Sequence, residues 1–361
     1  MVVQIQPWID ERDAEAVRHA VATTFVTEHN QTAIFERTLE ALTGARHAIA
    51  YANGSCALFA IMRALEIGPG DEVIVPDLTF VASANAVILA GATPIFCDVE
   101  PDSMMTDLRC AGALVTPQTK AIMPVHLYGL ATDMPPMLRF AEEHSLLVIE
   151  DAAQGVGVRR NNRHVGTEGR AGILSFYGNK TVTTGEGGAI LTNDDALADA
   201  CYRLKNHGRI KKSVFVHEEI GFNFSFTELQ AALGIAQLSK LDEIIADKRR
   251  IRDRYVEGLA DVGWLSFPRV PDDTSPVFWF TNVLCDNAEG LANHLTAEKI
   301  ESRRFFLPLH LQPCYRYLHP SACPHSRRLY ERGLSLPSWC GLKDKAIDRI
   351  CDAIVSFGVP A

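Results

Sequence analysis

One lysine stands where an apolar run meets a glycine-rich turn, in "SFYGNKTVTTGEGG" from Ser175 to Gly188. Lys180 follows residues 173–177, which are typical of the end of a buried strand. A lysine amine near its ordinary pKa of about 10.4 is a poor nucleophile at neutral pH. Desolvation favours the neutral amine, which forms a Schiff base with an aldehyde. The alternative is a strand-end lysine whose ammonium lies in water, and this position alone leaves both interpretations open.

Two acidic residues, Glu150 and Asp151, end another apolar run, in "VIEDAAQGVG". A carboxylate held against the pyridine nitrogen of pyridoxal phosphate keeps that nitrogen protonated and strengthens the ring as an electron sink. Gln154 lies three residues further on and could reach the same ligand with its amide. Strand ends also reach water, so two solvated acids explain this stretch equally well.

A third stretch, "YANGSCAL", combines a glycine, a hydroxyl residue and the start of a helical pattern. The free N–H groups and the dipole of a helix N-terminus attract phosphate. Gly54 lets the backbone approach a ligand closely, while Ser55 adds a hydroxyl, and Ser175 offers another five residues before Lys180. An ordinary serine N-cap is the alternative.

Short apolar runs alternate with helical patterns from about residue 45 to 195, which predicts an α/β fold with a mainly parallel sheet between helices. Ligands of such sheets bind beyond the carboxyl ends of the strands, so Gly54, Asp151 and Lys180 are expected to face one crevice. Residues 227–259 read as one long helix. We predict a large domain over residues 1–240 and a smaller α+β domain over residues 241–361.

The composition limits the class of protein. A net charge of −9 and a pI near 5.7 argue against nucleic acid or an acidic membrane as a partner. The nine cysteines show no CxxC spacing, so no metal site is expected. We expect them to be reduced thiols in the cytoplasm. The N-terminus does not resemble a signal peptide, and no apolar stretch has transmembrane length.

Several motifs in register resemble one family, the DegT-type nucleotide-sugar aminotransferases, which are pyridoxal-phosphate enzymes of fold type I. The resemblance covers nearly the whole chain and is densest from about residue 45 to 245. The stretches that carry it are "VPDLTFVASANAVILAGATPIFCDVEPDS", "KAIMPVHLYG", "EDAAQ", "SFYGNKTVTTGEGGAILTND", "RLKNHGR", "GFNFSFTELQAALGIAQLSKLDEI" and "FFLPLHLQPCY".

The resemblance implies roles for four residues around the ring of the cofactor. Lys180 would hold pyridoxal phosphate covalently and, once released, carry the proton at the α-carbon. Asp151 would pair with the pyridine nitrogen, and Gln154 would lie near the phenolic oxygen. Phe80, in "LTF", would stack on the ring, although simple core packing is the alternative for this side chain.

The same resemblance implies a phosphate site shared between two subunits. Gly54, Ser55, Ser175 and the backbone at Cys56 match the phosphate-binding residues of the family. Asn223, in "GFNF", matches an asparagine that reaches the phosphate from the neighbouring subunit. The expected assembly is therefore a homodimer whose active sites lie across the interface.

Three further residues are predicted to bind substrate, each with an alternative. His126, in "PVHLYG", lies near the cofactor by resemblance, but a histidine satisfied in the core fits as well. His310, in "PLHLQPCY", resembles a histidine of the sugar-side wall. Glu186 supports either the glycine-rich turn or the substrate site.

The expected reaction moves an amino group from glutamate to a keto group of a nucleotide-linked deoxysugar, in deoxyaminosugar and polysaccharide biosynthesis. The resemblance favours C4 of GDP-4-keto-6-deoxymannose. However, that subgroup commonly has a glutamate where this chain has Gln154, so another 4-keto sugar or a 3-keto sugar stays open. Ser225 and Arg170 also depart from the family pattern, which leaves the sugar contacts open. The intact Lys180 argues against a sugar dehydratase, and a cofactor-binding regulatory protein without turnover is the remaining alternative.

Overall fold

A computed structural model describes residues 1–210 and 214–358 of the chain. The α-helices are α1 (Glu11–Ala22), α2 (Asn30–Thr43), α3 (Gly54–Ala64), α4 (Ala82–Leu89), α5 (Leu108–Leu114), α6 (Met134–Glu143), α7 (Asp195–Lys205), α8 (Glu228–Leu238), α9 (Leu241–Gly258), α10 (Ala288–Ala297), α11 (Pro324–Arg332) and α12 (Asp344–Phe357). The strands are β1 (His47–Tyr51), β2 (Glu72–Pro76), β3 (Thr93–Cys97), β4 (Thr119–Ile122), β5 (Leu147–Asp151), β6 (Arg159–Arg160), β7 (Arg163–His164), β8 (Ala171–Ser175), β9 (Gly188–Thr192), β10 (Leu265–Ser266), β11 (Thr274–Ser275), β12 (Thr281–Cys285), β13 (Arg303–Arg304) and β14 (Gly333–Leu336).

The largest sheet has seven strands in the order β1-β9-β8-β5-β4-β2-β3. The neighbours from β8 to β3 pair in parallel, whereas β9 runs antiparallel to both β8 and β1. The predicted mainly parallel sheet is confirmed. Because β9 reverses direction between them, β1 and β8 point the same way, and their carboxyl ends lie at the same edge as that of β5.

Both faces of this sheet are covered, as the near-continuous apolar strands predict. Along β1, Ile49 and Tyr51 pack on one face with α3, α4 and α7, while Ala48 and Ala50 pack on the other with α2 and α8. Strand side chains alternate between faces, so every residue of β1 except His47 is buried. The sheet is therefore a rigid support for the loops that follow its strands.

The single long helix expected over residues 227–259 is wrong, because α8 ends at Leu238 and α9 begins at Leu241. Ser239 Oγ donates to the carbonyl of Ala236 at 2.7 Å, a bond that bends helices. Lys240 (φ −101°, ψ 3°) then leaves the helical backbone range and turns its fully buried ammonium to Asp13 of α1. Helical periodicity continues through this break and does not reveal it.

A second sheet of four strands, in the order β10-β12-β14-β13, packs with α10 and α12. Helix α9 connects the two regions: Leu241 and Ile244 pack beneath the large sheet, whereas Ile251 and Tyr255 lie in the core of the smaller one. The predicted division into domains at residues 240 and 241 stays a prediction. No helix in the described ranges has both the length and the hydropathy that a membrane crossing requires.

The buried pair of Asp13 and Lys240 gives a prediction about stability. Asp13 also accepts hydrogen bonds from the Gln237 side chain and from the backbone of Asp10. Removing the Asp13 carboxylate leaves the buried Lys240 ammonium with longer contacts only, at 3.4 Å to Asp10 and to the carbonyl of Trp8. Asp13→Ala should therefore lower the free energy of unfolding by about 3 kcal/mol. Urea denaturation followed by circular dichroism measures this change.

The exposed pair of Glu15 and Arg18 on the same helix provides the matched control. Glu15→Ala should leave the free energy of unfolding nearly unchanged, because exposed ion pairs contribute little. Equal losses in the two variants would contradict the importance of the buried pair.

Candidate active site

Two neighbouring parallel strands carry the acid and the amine. Asp151 is the last residue of β5 and pairs in register with Ile173 of β8. Lys180 follows the end of β8 by five residues, and its backbone N–H closes a turn on the carbonyl of Tyr177 at 2.9 Å. Because β5 and β8 are adjacent, Asp151 and Lys180 lie close enough for the carboxylate charge to act on the amine.

The amine of Lys180 is held largely out of water. Burial lowers its pKa from 10.5 to about 8, against the opposing effect of the negative charge of Asp151. The Nζ atom lies 4.2 Å from the centre of the Trp279 ring. A pKa near 8 leaves about one amine in ten neutral at pH 7, against fewer than about one in a thousand for an ordinary lysine. Lys180 is therefore prepared for nucleophilic attack.

Asp151 is 5% exposed and accepts two hydrogen bonds. Ser83 Oγ donates to Oδ2 at 2.7 Å, and the N–H of Ala153 donates to Oδ1 at 3.0 Å. These two bonds fix the orientation of the carboxylate. Each oxygen keeps a further lone pair, so the carboxylate can still accept a proton-bearing nitrogen of a ligand.

The start of α3 offers unused donors. Asn53 caps the helix by accepting from the N–H of Cys56 at 2.9 Å. Within the described residues, the N–H groups of Gly54 and Ser55 have no acceptor, as is general for the first turn of a helix. The Cys56 N–H, expected at the phosphate, is thus engaged by Asn53, and the available donors are those of Gly54 and Ser55.

The sheet register brings Ser175 to these donors. Gly188 of β9 pairs with Tyr51 on one side and with Ser175 on the other. A Cβ on Gly188 would lie 2.6 Å from the backbone of residues 53 and 54, so only glycine fits there. A Cβ on Gly54 would lie 3.2 Å from the Ser175 Cβ. The Ser175 hydroxyl therefore adjoins the helix start and completes a small polar cradle.

Gln154 and Phe80 flank the same region. Gln154 Oε1 accepts from the N–H of Tyr128 at 2.7 Å. That bond fixes the amide and leaves its NH₂ group to donate to a ligand. Phe80 is 52% exposed, and its ring centre lies 5.7 Å from that of Phe306. A large aromatic side chain with an open face suits stacking on a flat ligand.

These residues fit pyridoxal phosphate. A desolvated amine suits its aldehyde, a buried carboxylate suits its pyridine nitrogen, and an exposed aromatic face suits its ring. The unused N–H groups and hydroxyls around Gly54 suit its phosphate, in a space that a side chain at Gly54 would narrow. The side chains and backbone N–H groups of the site therefore match the polar atoms of pyridoxal phosphate.

The geometry overturns the substrate-binding role expected for His126. This side chain is completely buried, Nδ1 accepts from the N–H of Thr132, and Nε2 lies 2.9 Å from Glu150. Glu150 also accepts N–H groups of Gly166 and Gly169. Burial raises the pKa of Glu150, but the bonds from His126 and the backbone outweigh it, and the pKa is lowered. Both ring nitrogens of His126 are used within the core.

His310 is held by Asp77, which follows β2 at the same edge of the sheet. The backbone N–H of His310 donates to Oδ1 at 2.7 Å, and Nδ1 lies 2.6 Å from Oδ2. Cys323 Sγ lies within 4.8 Å of this pair. Two ligand atoms of a tetrahedral zinc ion lie roughly 3.3 Å apart. The 2.6 Å contact between His310 Nδ1 and Asp77 Oδ2 is shorter than that and is therefore a hydrogen bond. The pair fixes the tautomer of His310 with Nδ1–H directed to Asp77.

Glu186 and Asn223 both have exposed side chains, and among the described residues neither forms a hydrogen bond or ion pair with Lys180. Glu186 is exposed, and its carbonyl accepts from Thr184 and Gln230, so its backbone supports the glycine-rich turn. Asn223 is exposed and lines a cavity of about 430 Å³ with residues 27–28 and 206–207.

Three residues that contact the predicted site residues, Ser83, Tyr128 and Trp279, are not predicted by the sequence analysis. Ser83 bonds Asp151, Tyr128 orients Gln154, and Trp279 covers the Lys180 amine. Ser83 lies inside a helical pattern and Trp279 inside an apolar run, so their types carry no local signal. Tyr128 has a positive φ of 56°, which is unusual for a residue other than glycine, but sequence alone does not show it.

The cradle at Gly54 gives a prediction about cofactor binding. Gly54→Ala places a methyl group 3.4 Å from the Ser175 hydroxyl while favouring the helix. We expect the dissociation constant for pyridoxal phosphate to rise about tenfold, equivalent to about 1.4 kcal/mol. Absorbance titration of the purified protein measures it.

Gly112→Ala is the control, because its Cβ would meet only Phe140 at an ordinary 3.7 Å. If both variants bound pyridoxal phosphate as tightly as the unaltered protein, the phosphate would not lie at the start of α3.

Comparison with known proteins agrees with this geometry. Residues 7–355 match the DegT/DnrJ/EryC1/StrS aminotransferase family. The chain is 40% identical to GDP-perosamine synthase of Caulobacter vibrioides, over 96% of each chain. It is 37% identical to a UDP-N-acetyl-3-dehydro-alpha-D-glucosamine 3-aminotransferase of Acidithiobacillus ferrooxidans, over 90% of this chain and 88% of that one. A crystal structure of a family aminotransferase from Brucella abortus aligns with a TM-score of 0.90 at 34% identity, over 97% and 96% of the two chains. The chain belongs to the DegT/DnrJ/EryC1/StrS family and is a pyridoxal-phosphate-dependent aminotransferase.

Proposed function

We propose that this protein transfers the amino group of glutamate to C4 of a nucleotide-linked 4-keto-6-deoxysugar, such as GDP-4-keto-6-deoxymannose. The observation that carries the proposal is the desolvated amine of Lys180, beside the charge of Asp151 and next to a phosphate-binding helix start. The likeness to a GDP-perosamine synthase along nearly the whole chain supports a GDP-linked substrate.

The residues around the ring divide the work of binding. The bound cofactor supplies an electron sink for the carbon that loses or gains the amino group. Asp151, which accepts hydrogen bonds from Ser83 and from the N–H of Ala153, would hold a proton at the pyridine nitrogen. Gly54, Ser55 and Ser175 would bind the phosphate, Phe80 would stack on the ring, and Gln154 would donate to the phenolic oxygen.

Lys180 is the acid and base of the reaction. As a free neutral amine, Nζ removes the proton from the α-carbon of glutamate, and as an ammonium it delivers a proton to C4 of the sugar. A pKa of about 8 suits both the removal and the delivery of the proton, because the neutral amine and the ammonium are then both accessible near neutral pH. Burial, the main cause of this pKa, also excludes water that would compete for the proton.

His310 and Glu186 are proposed to contact the sugar nucleotide. The bond from His310 Nδ1 to Asp77 leaves Nε2 free to accept a hydrogen bond from a sugar hydroxyl. The exposed Glu186 stands on the turn that follows Lys180. Amination at C3 is the second candidate, favoured by the 37% identity to a 3-aminotransferase and by the presence of Gln154.

We also propose a homodimer in the cytoplasm. Asn223 is exposed, and so are three large apolar side chains, Phe25, Phe215 and Ile220. Phe215 packs against Arg209, which lines the same cavity as Asn223. A second copy of the chain would cover these side chains and bring its Asn223 to the phosphate. All nine cysteines are free thiols, which supports a reducing compartment.

The function is tested with a panel of keto sugars. Purified protein with glutamate should aminate GDP-4-keto-6-deoxymannose at C4, detected by mass spectrometry and NMR of the product. Lys180→Ala should lower kcat by at least about a thousandfold, because the amine supplies both general acid–base and covalent catalysis.

Lys120→Ala, at an exposed lysine of β4, is the control and should keep full activity. Amination of a 3-keto UDP-sugar in place of the 4-keto GDP-sugar would move the assignment to the second candidate. Turnover in Lys180→Ala comparable to that of the control would remove Lys180 from catalysis.

The shared site is tested by complementation between two defective chains. Asn223→Asp puts a carboxylate against the phosphate and should weaken cofactor binding about tenfold or more, through like-charge repulsion. A heterodimer of Lys180→Ala and Asn223→Asp chains, co-expressed with different tags, contains one site with both native residues.

At limiting cofactor this heterodimer should regain about half the activity of the unaltered dimer, since one of its two sites is intact. The homodimers of the two single variants are the controls for the heterodimer. A heterodimer no more active than its parents would place Asn223 outside the partner's site.

A further inference from the structure

One tryptophan contacts the reactive lysine in two ways. The ring of Trp279 lies 4.2 Å below the Lys180 Nζ atom. Its indole N–H donates at 2.6 Å to the carbonyl of Asn179, the residue directly before Lys180. A single side chain therefore holds both the amine and the backbone that delivers it, from a position 100 residues further along the chain.

Trp279 is itself fixed on every side. It is 3% exposed, and its ring stacks on Phe280 at 4.0 Å and on Tyr128 at 6.4 Å between ring centres. Its backbone N–H donates to the carbonyl of Tyr128, and its carbonyl accepts from the buried ammonium of Lys248 at 3.0 Å. Lys248 also donates to the carbonyl of Ser338 at 2.6 Å. The indole is thus a rigid surface and not a mobile cover.

We infer that Trp279 is a positioning residue for Lys180. Its ring holds the free amine near Asp151, and its indole N–H fixes the position of the turn that carries the lysine. This inference rests on the proposed role of Lys180 as the acid and base. The inference applies to the steps in which the Lys180 amine is free and must reach the substrate carbon to transfer a proton.

Two opposing effects of the ring act on the amine. An aromatic face attracts an ammonium and favours the charged form, whereas a ring that excludes water favours the neutral form. The pKa of Lys180 is lowered mainly by burial, to which a ring 4.2 Å from the amine contributes, so we expect exclusion of water by the ring to outweigh its attraction for the ammonium. Removing the ring should therefore raise the pKa of Lys180 toward its ordinary value.

Trp339 provides a matched comparison within the chain. Its indole N–H also donates to a backbone carbonyl, that of Val3 at 3.2 Å, and its ring packs on the core of the smaller sheet. Among the described residues, no lysine or arginine cation lies over its ring. Trp339→Phe therefore removes an indole hydrogen bond of the same kind, from a half-buried ring, without touching the lysine.

The amine is measured directly in the full-length protein freed of cofactor. Trace acetylation with acetic anhydride across pH 6.5 to 10.5, with mass spectrometry of the peptide that contains Lys180, gives the midpoint at which the amine becomes reactive. The unaltered protein should show a midpoint near pH 8. Trp279→Leu should raise it by about one pH unit, since water then reaches the amine, and Trp339→Phe should leave it unchanged.

Kinetics of the cofactor-loaded enzyme separate the two contacts. Trp279→Phe keeps a ring but loses the bond to Asn179, so kcat should fall about fivefold to tenfold, as for one lost hydrogen bond. KM for glutamate and for the sugar nucleotide should stay the same, and the acetylation midpoint should stay near that of the unaltered protein.

The outcomes distinguish this inference from the proposed function. If both Trp279 variants matched Trp339→Phe in acetylation midpoint and in kcat, Trp279 would be a packing residue only. If Trp279→Leu did not fold, as judged by circular dichroism, the kcat of Trp279→Phe would decide alone. A shifted midpoint in a protein that aminated no sugar would uphold the contact between Trp279 and Lys180 and reject the proposed reaction.

Discussion

A primary amine kept out of water beside a carboxylate is the interaction on which the rest of this structure depends. Burial disfavours the ammonium of Lys180, and the charge of Asp151 favours it; burial prevails and leaves a pKa of about 8. Either effect alone would give a worse catalyst, because a fully desolvated amine would not hold a proton and a solvated one would not release it. The surrounding fold serves to maintain this balance.

The central sheet maintains it by aligning the ends of three strands. Gly188 of β9 faces Tyr51 and Ser175 at once, so the loops after β1 and β8 start at the same level. Asp151 ends β5, the other neighbour of β8. An antiparallel strand inserted into a parallel sheet therefore joins the start of α3 to the lysine turn. Gly188 is required there by the close approach of residues 53 and 54.

The sequence predicts the parts of this arrangement that depend on local pattern. Apolar runs that end in Asp151, or precede Gly54 and Lys180, mark strand ends, and parallel strands place such ends together. The break at Lys240 was not predictable, because it depends on Asp13 of a distant helix. His126 was ambiguous, since a strand histidine has the same pattern whether its ring contacts a ligand or, as here, Glu150.

Contacts between distant parts of the chain explain why the first 240 residues do not make the site by themselves. Trp279 holds the lysine turn, and His310 binds Asp77 after β2. Phe306 stacks on Tyr128, whose backbone orients Gln154. Each of these contacts joins a residue beyond 240 to a loop at the carboxyl edge of the large sheet. The site therefore depends on the strand ends of the large sheet and on residues 279–310, which pack against the loops that follow those strands.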